Sequence, residues 1–125
     1  MKQIIHTELA PKAVGPYSQA VMTKDMIYTS GQIPIDPAQG KIVAETIEAQ
    51  TEQVMKNLKA VLATAGVGMD RIVKTTCYLA DIADFAAFNG VYAQYFPENP
   101  PARSCFQVAA LPMGAKVEVE VIAVR

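Results

Sequence analysis

The sequence predicts an α+β domain, one mixed β-sheet with two helices packed on a single face. Three observations lead there. Segments of strand character open the chain, and a helix, a strand, a second helix and two final strands follow in order. The hydrophobic period switches at Thr46 from two residues to between three and four. In the last strand, Val117, Val119 and Val121 alternate with Glu118, Glu120 and Ile122, so apolar groups occur on both faces. One layer of helices covers one face. The other is expected to pack against a further subunit.

Each element has a local reason. "QIIHT" is a short β-branched opening strand, and "YSQAVMT" and "MIYTSGQI" are strands parted by a tight turn at Lys24 and Asp25. Gly15-Pro16 turns the chain so that Tyr17 begins the second strand. "IPIDPAQGK" carries Pro34, Pro37 and Gly40, the chemistry of a loop. From Thr46 to Ala65 one helical face collects Ile47, Thr51, Val54, Leu58, Val61, Leu62 and Ala65. Glu45, Glu48 and Glu52 lie early and Lys56 and Lys59 late, as the helix dipole favours, and Gly66 and Gly68 end the helix. "RIVKTTCYLA" is a strand. Asp81 or Asp84 then caps a second helix, "FAAFNGVYAQYF", with Phe85, Phe88, Tyr92 and Tyr95 or Phe96 inward. Pro97 closes it, and "RSCFQVA" and "KVEVEVIAV" are the last strands.

Composition narrows the function. The 125 residues suit one domain spanning 1–125, 51% apolar and 18% charged, a globular balance. The net charge is -1 with no lysine or arginine cluster, which argues against nucleic-acid binding. Apolar runs are too short to cross a membrane, and "MKQIIHTELA" has no secretory pattern. Cys77 and Cys105 therefore read as free thiols of a reducing compartment, and a cytoplasmic location is expected. No metal pattern occurs, and no HExxH, GxxxxGK[ST] or GxGxxG. His6 is the sole histidine, so nothing points to a Ser-His-Asp or Cys-His nucleophile.

Within "PPARSCFQVAALP", strand alternation puts Arg103, Cys105 and Gln107 on one face. Pattern alone favours an exposed strand face. The sharper reading is a guanidinium at a cleft edge, capturing a carboxylate with both arms of its fork. Glu118 and Glu120 share a face of the last strand, which is either half-solvated or places a general base toward water. The strand of Arg103 is expected to neighbour that of the two glutamates, allowing a shared site. Tyr17 reads as a packed ring with a wet hydroxyl. Ser30 and Gly31 end a strand where backbone can approach a ligand. Asn89 reads as a solvent-facing helix residue. Cys105 lacks a base and reads as a small residue whose backbone matters.

Taken together, "GPYSQAV", "YTSGQIPIDP", "FNGVYAQYF", "PPARSCFQVAALP" and "KVEVEVIA" resemble the reactive intermediate deaminase A (RidA/YjgF) family from residue 5 to residue 124. The resemblance implies a chorismate-mutase-like fold, a homotrimer with clefts between subunits, and no cofactor. It implies hydrolysis of 2-imino acids, chiefly 2-iminobutanoate and 2-iminopropanoate, to 2-oxo acids and ammonia. By the same resemblance Arg103 holds the substrate carboxylate and Glu118 positions the attacking water. The backbone of Cys105 helps orient water and imine, and Tyr17, Ser30, Gly31 and Asn89 line the cleft. Gly90, where an acidic residue is common, and "AALPMGAK" depart from the family pattern. A small-carboxylate sensor on the same fold is the alternative, with a ribonuclease or translation inhibitor behind it.

Overall fold

The computed structural model describes residues 1–125. Eight strands and two helices run β1 (Gln3–Ile5), β2 (Ala20–Met22), β3 (Met26–Thr29), β4 (Ile35–Asp36), β5 (Lys41–Ile42), α1 (Ile47–Thr64), β6 (Ile72–Leu79), α2 (Phe85–Tyr92), β7 (Ala102–Gln107) and β8 (Val117–Val124). Six strands form one sheet in the order β1-β2-β3-β8-β6-β7. All pairings in it are antiparallel except β6 with β7, which is parallel and joined through α2. The expected α+β architecture is therefore present, with both helices on one face.

The core lies between that face and the helices. Ile27, Leu79, Val117, Val119 and Ala123 are fully buried against Val54, Met55, Leu58, Val61 and Leu62 of α1 and Phe88 of α2. Each of these side chains except that of Ala123 contributes about 1.5–3 kcal/mol on leaving water. The sequence period of α1 survives intact: Ile47, Thr51, Val54, Leu58, Val61 and Leu62 are all buried. Thr46 caps its start by accepting from the Ala49 N–H at 3.1 Å. Gly66, at φ +90°, ends it in a Schellman turn, with Val67 N–H donating to Leu62 O and Gly66 N–H to Ala63 O.

Three buried amides, Gln19, Gln50 and Asn57, fix the loops to this frame. Gln19 accepts from Thr7 N–H at 2.7 Å and donates to the carbonyls of Thr7 and Pro11. Asn57 donates to the carbonyls of Ile33 and Ile35. Gln50 donates to Ala44 O and accepts from Lys116 N–H. Each satisfies backbone groups that an irregular segment otherwise leaves without partners.

Three expectations change. β2 begins at Ala20, so Tyr17 lies in the preceding turn and not in a strand. "IPIDPAQGK" contains the two-residue strands β4 and β5, closed by Gly40 at φ +69°. β7 and β8 are not neighbours, because β6 pairs with both. The helix-free face exposes Tyr28 and Phe106, at 42% and 47%, as the uncovered-face argument expects. No helix is long and apolar enough to cross a membrane.

Gly90 is exposed in α2 and a β-carbon there meets open space. Gly90→Ala is expected to stabilise the protein by about 0.5–1 kcal/mol, since alanine loses less backbone entropy in a helix. Urea denaturation checks this, and a lower midpoint would contradict it.

Candidate functional site

The candidate residues fall into two groups on opposite faces of the sheet. Thr75 of β6 pairs with Arg103 of β7 and Val121 of β8, so these three share the helix-covered face. Tyr78 pairs with Phe106 and Glu118, so those share the open face. The sequence reading placed Arg103 and Glu118 on adjacent strands in one site. Within a single chain they are separated by a strand and by the thickness of the sheet.

Around Arg103, α2 builds an aromatic ledge. The guanidinium carbon lies 4.8 Å from the Tyr92 ring centroid, 5.3 Å from that of Phe85 and 5.9 Å from that of Phe88. Nη1 donates to Asn89 Oδ1 at 2.7 Å. The hydroxyls of Tyr92 and Thr75 share a hydrogen bond of 2.8 Å, which fixes the ledge to β6. Asn89, expected to face solvent, is instead half-buried and aims the arginine. A guanidinium has five N–H donors. Its hydrogen bond within the chain goes to a neutral amide, which leaves both its charge and further donors for an anion.

Cys105 lies two residues on, on the same face, in register with Cys77. Burial raises the Cys105 thiol above its ordinary value, with the Arg103 charge acting the other way. Cys77 is pushed up to about 12, chiefly by burial. Neither is the thiolate that nucleophilic attack needs.

On the open face, Glu118 rests on Gly31. A bridge of two backbone hydrogen bonds between Gln32 and Val119 draws the end of β3 alongside β8. A β-carbon on Gly31 would stand 1.9 Å from Glu118 Oε2, so only glycine leaves room for the carboxylate there. Ser30 Oγ donates to Ser18 O at 2.6 Å and binds this segment to the turn before β2. In that turn Tyr17 N–H donates to Gly15 O, and Gly15 adopts φ +128°. Tyr17, Ser30, Gly31, Glu118 and Glu120 line one cavity of about 1090 Å³, with Lys12 and Met113 at other points of its wall. Burial, and then the neighbouring Glu120, raise the Glu118 carboxyl above the usual carboxylate value.

The sequence reading missed several partners. Phe85, Phe88 and Tyr92 were placed as core, and their helical spacing carries no sign that an arginine lies over them. Glu120 was paired with Glu118 by spacing, but nothing announced that Tyr78 donates to it at 2.6 Å. Lys12 lies in a segment without pattern.

A carboxyl whose proton is held more tightly in the folded state opposes folding once it ionises. Its contribution to stability is present below the unfolded value and is lost as pH rises through the folded one. Glu118→Gln is therefore expected to raise the melting temperature at pH 7 and to leave it unchanged near pH 3. An equal gain at both pH values would exclude ionisation as the cause.

Known proteins resemble this chain along nearly its whole length. The family model described as Endoribonuclease L-PSP matches residues 7–125. The chain is 50% identical over 122 residues to the chloroplastic Reactive Intermediate Deaminase A of Arabidopsis thaliana, covering 98% of this chain and 65% of that protein's length. It is 46% identical over 125 residues to the 2-iminobutanoate/2-iminopropanoate deaminase of Homo sapiens, covering 100% of this chain and 91% of that one. The crystal structure of the Rid-family protein YyfA from Yersinia pestis superposes with a TM-score of 0.97 at 50% identity, covering 100% of both chains. With fold, sequence and the family model in agreement along nearly the whole chain, the protein belongs to the RidA/YjgF family, the family of the Endoribonuclease L-PSP model.

Proposed function

We propose that the protein hydrolyses 2-imino acids to 2-oxo acids and ammonia, with 2-iminobutanoate and 2-iminopropanoate as its principal substrates. The observation that carries this reading is Arg103: a cation stacked on three rings and bonded to a neutral amide, with donors left for a small carboxylate. Two relatives named as deaminases of such intermediates support it.

The chemistry asks little of the protein. A protonated imine carbon is already electrophilic. Arg103 holds the adjacent carboxylate and so fixes the carbon. Glu118 accepts a proton as water adds, giving a tetrahedral carbinolamine. That proton passes to the nitrogen, the C–N bond breaks as the hydroxyl proton goes back to Glu118, and ammonia leaves behind a 2-oxo acid. A base whose proton affinity is raised toward neutrality is better matched to this exchange than an ordinary carboxylate. Gly31 and the backbone at Cys105 present polar groups at close range, while Tyr17, Ser30 and Asn89 shape the walls.

Since Arg103 and Glu118 lie on opposite faces, a complete site in this reading needs two copies. The open sheet face is the surface they share, and a homotrimer closes with three equivalent clefts. RNA cleavage, the activity in the family model's description, finds less support: the net charge is -1 and the single histidine, His6, is exposed near the N-terminus.

Imine generated by a serine or threonine dehydratase and followed by its decay tests the reading. Wild type is expected to accelerate decay. Arg103→Ala is expected to lose about 10- to 100-fold in kcat/KM, the worth of a charge-assisted pair. Arg103→Lys falls between, keeping the charge without the fork. Gly31→Ala is expected to fold normally and lose activity, because the group it displaces is the flexible end of Glu118. Unaltered decay with wild type would end the proposal.

The shared cleft has its own test. Arg103→Ala and Glu118→Gln subunits, each of much reduced activity, are refolded together in equal amounts. About a quarter of wild-type activity is expected, since each boundary has one chance in two of supplying each intact residue. No recovery would place the whole site in one chain.

A further inference from the structure

We infer that Glu120 is a positioning residue for the reaction, a second carboxylate that acts through Glu118 and is held on the same strand face by the Tyr78 hydroxyl. The inference rests on the role proposed above for Glu118. Three observations carry it. Glu118 and Glu120 are two residues apart on β8, point to the same face and line the same cavity. Tyr78 Oη donates to Glu120 Oε1 at 2.6 Å, so the second carboxylate has a defined place. Phe106 meets the Tyr78 ring edge-on at 5.4 Å and 87°, so the donor is itself held.

The arrangement separates two roles for two like groups. Glu118 has the close approach to Gly31 and no side-chain hydrogen bond within the chain, so it is free to bind water. Glu120 has its oxygen engaged by a phenol. That phenol stays protonated at neutral pH, since the Glu120 hydrogen bond pushes Tyr78 up to about 12. A fixed negative charge beside Glu118 disfavours a second one and makes Glu118 a stronger base.

Other charges around Glu118 do not replace this one. Tyr78 faces it from β6, and Lys12 and Tyr17 lie across the cavity in the N-terminal segment. Lys116, two residues before it, is exposed. Lys74, also on the open face, pairs with Ile122 further along and is bonded to Ser104. In the proposed assembly, Arg103 of a neighbouring copy adds a positive charge common to wild type and variants, so it cancels between them.

The test is a direct titration of the Glu118 side-chain carboxyl by carbon NMR in the assembled protein, alongside the pH profile of imine hydrolysis. Glu120→Gln is expected to lower the Glu118 midpoint by roughly half a pH unit or more, moving the acid limb of kcat/KM with it. Tyr78→Phe leaves the charge but frees it, and is expected to move the midpoint the same way by less. Should Glu120→Gln fail to fold, Tyr78→Phe serves instead in the same titration. A Glu118 midpoint unmoved in folded variants would overturn the inference. If the midpoint moves while wild type hydrolyses no imine, the pair stands and the proposed reaction falls. If hydrolysis is present and the midpoint stays, the reverse holds.

Discussion

From Lys74 onward β6 is hydrogen-bonded in register to β8 on one side and to β7 on the other, and its side chains alternate between the two faces. That pairing assigns every functional group its place. Thr75 and Cys77 carry Arg103 and Cys105 to the face beneath α2, while Tyr78 carries Glu118 and Phe106 to the open one. A slip of one residue in either register would move the arginine into the open and the carboxylates into the core, at the cost of burying unpaired charge. The hydrophobic content of β8 makes such a slip prohibitive: Val117, Val119, Val121 and Ala123 are all buried. The core that stabilises the fold is thus also what separates Arg103 from Glu118.

Around that sheet, polar side chains do work that apolar ones cannot. The cavity wall is made of irregular segments whose backbone groups need partners. Gln19, just before β2, and Asn57 of α1 provide them, holding the Thr7–Pro11 and Ile33–Ile35 segments. The geometry of these loops is therefore inherited from buried amides, one just before a strand and one in a helix.

Burial itself has opposite consequences at Cys105 and Glu118. At Cys105 it holds the thiol protonated and removes a nucleophile from contention. At Glu118 it raises proton affinity, which brings a carboxylate toward useful basicity. Arg103 escapes the penalty by a different route, because its delocalised charge is covered by ring faces and a neutral amide while an edge strand keeps it reachable. Gly31 shows how narrow the tolerance is, since one added carbon would occupy the space of a carboxylate oxygen.

Helix α1, strands β6 and β8 and the family's motifs were readable along the chain, because periodicity and turn chemistry are local. The inward face of α1 and the inward valines of β8 follow from spacing alone. So does the sharing of one face by Glu118 and Glu120, since two residues is the strand repeat. The order of strands across the sheet is not local. Nothing in the spacing of Arg103 and Glu118 says that β6 lies between their strands, and that insertion parts two residues expected to sit side by side. Asn89 read as solvent-facing for the same reason: a helix position acquires its partner only when another element is laid beside it. Pairing between distant segments is chosen by the total burial and hydrogen bonding of the folded chain, a sum that no single stretch contains.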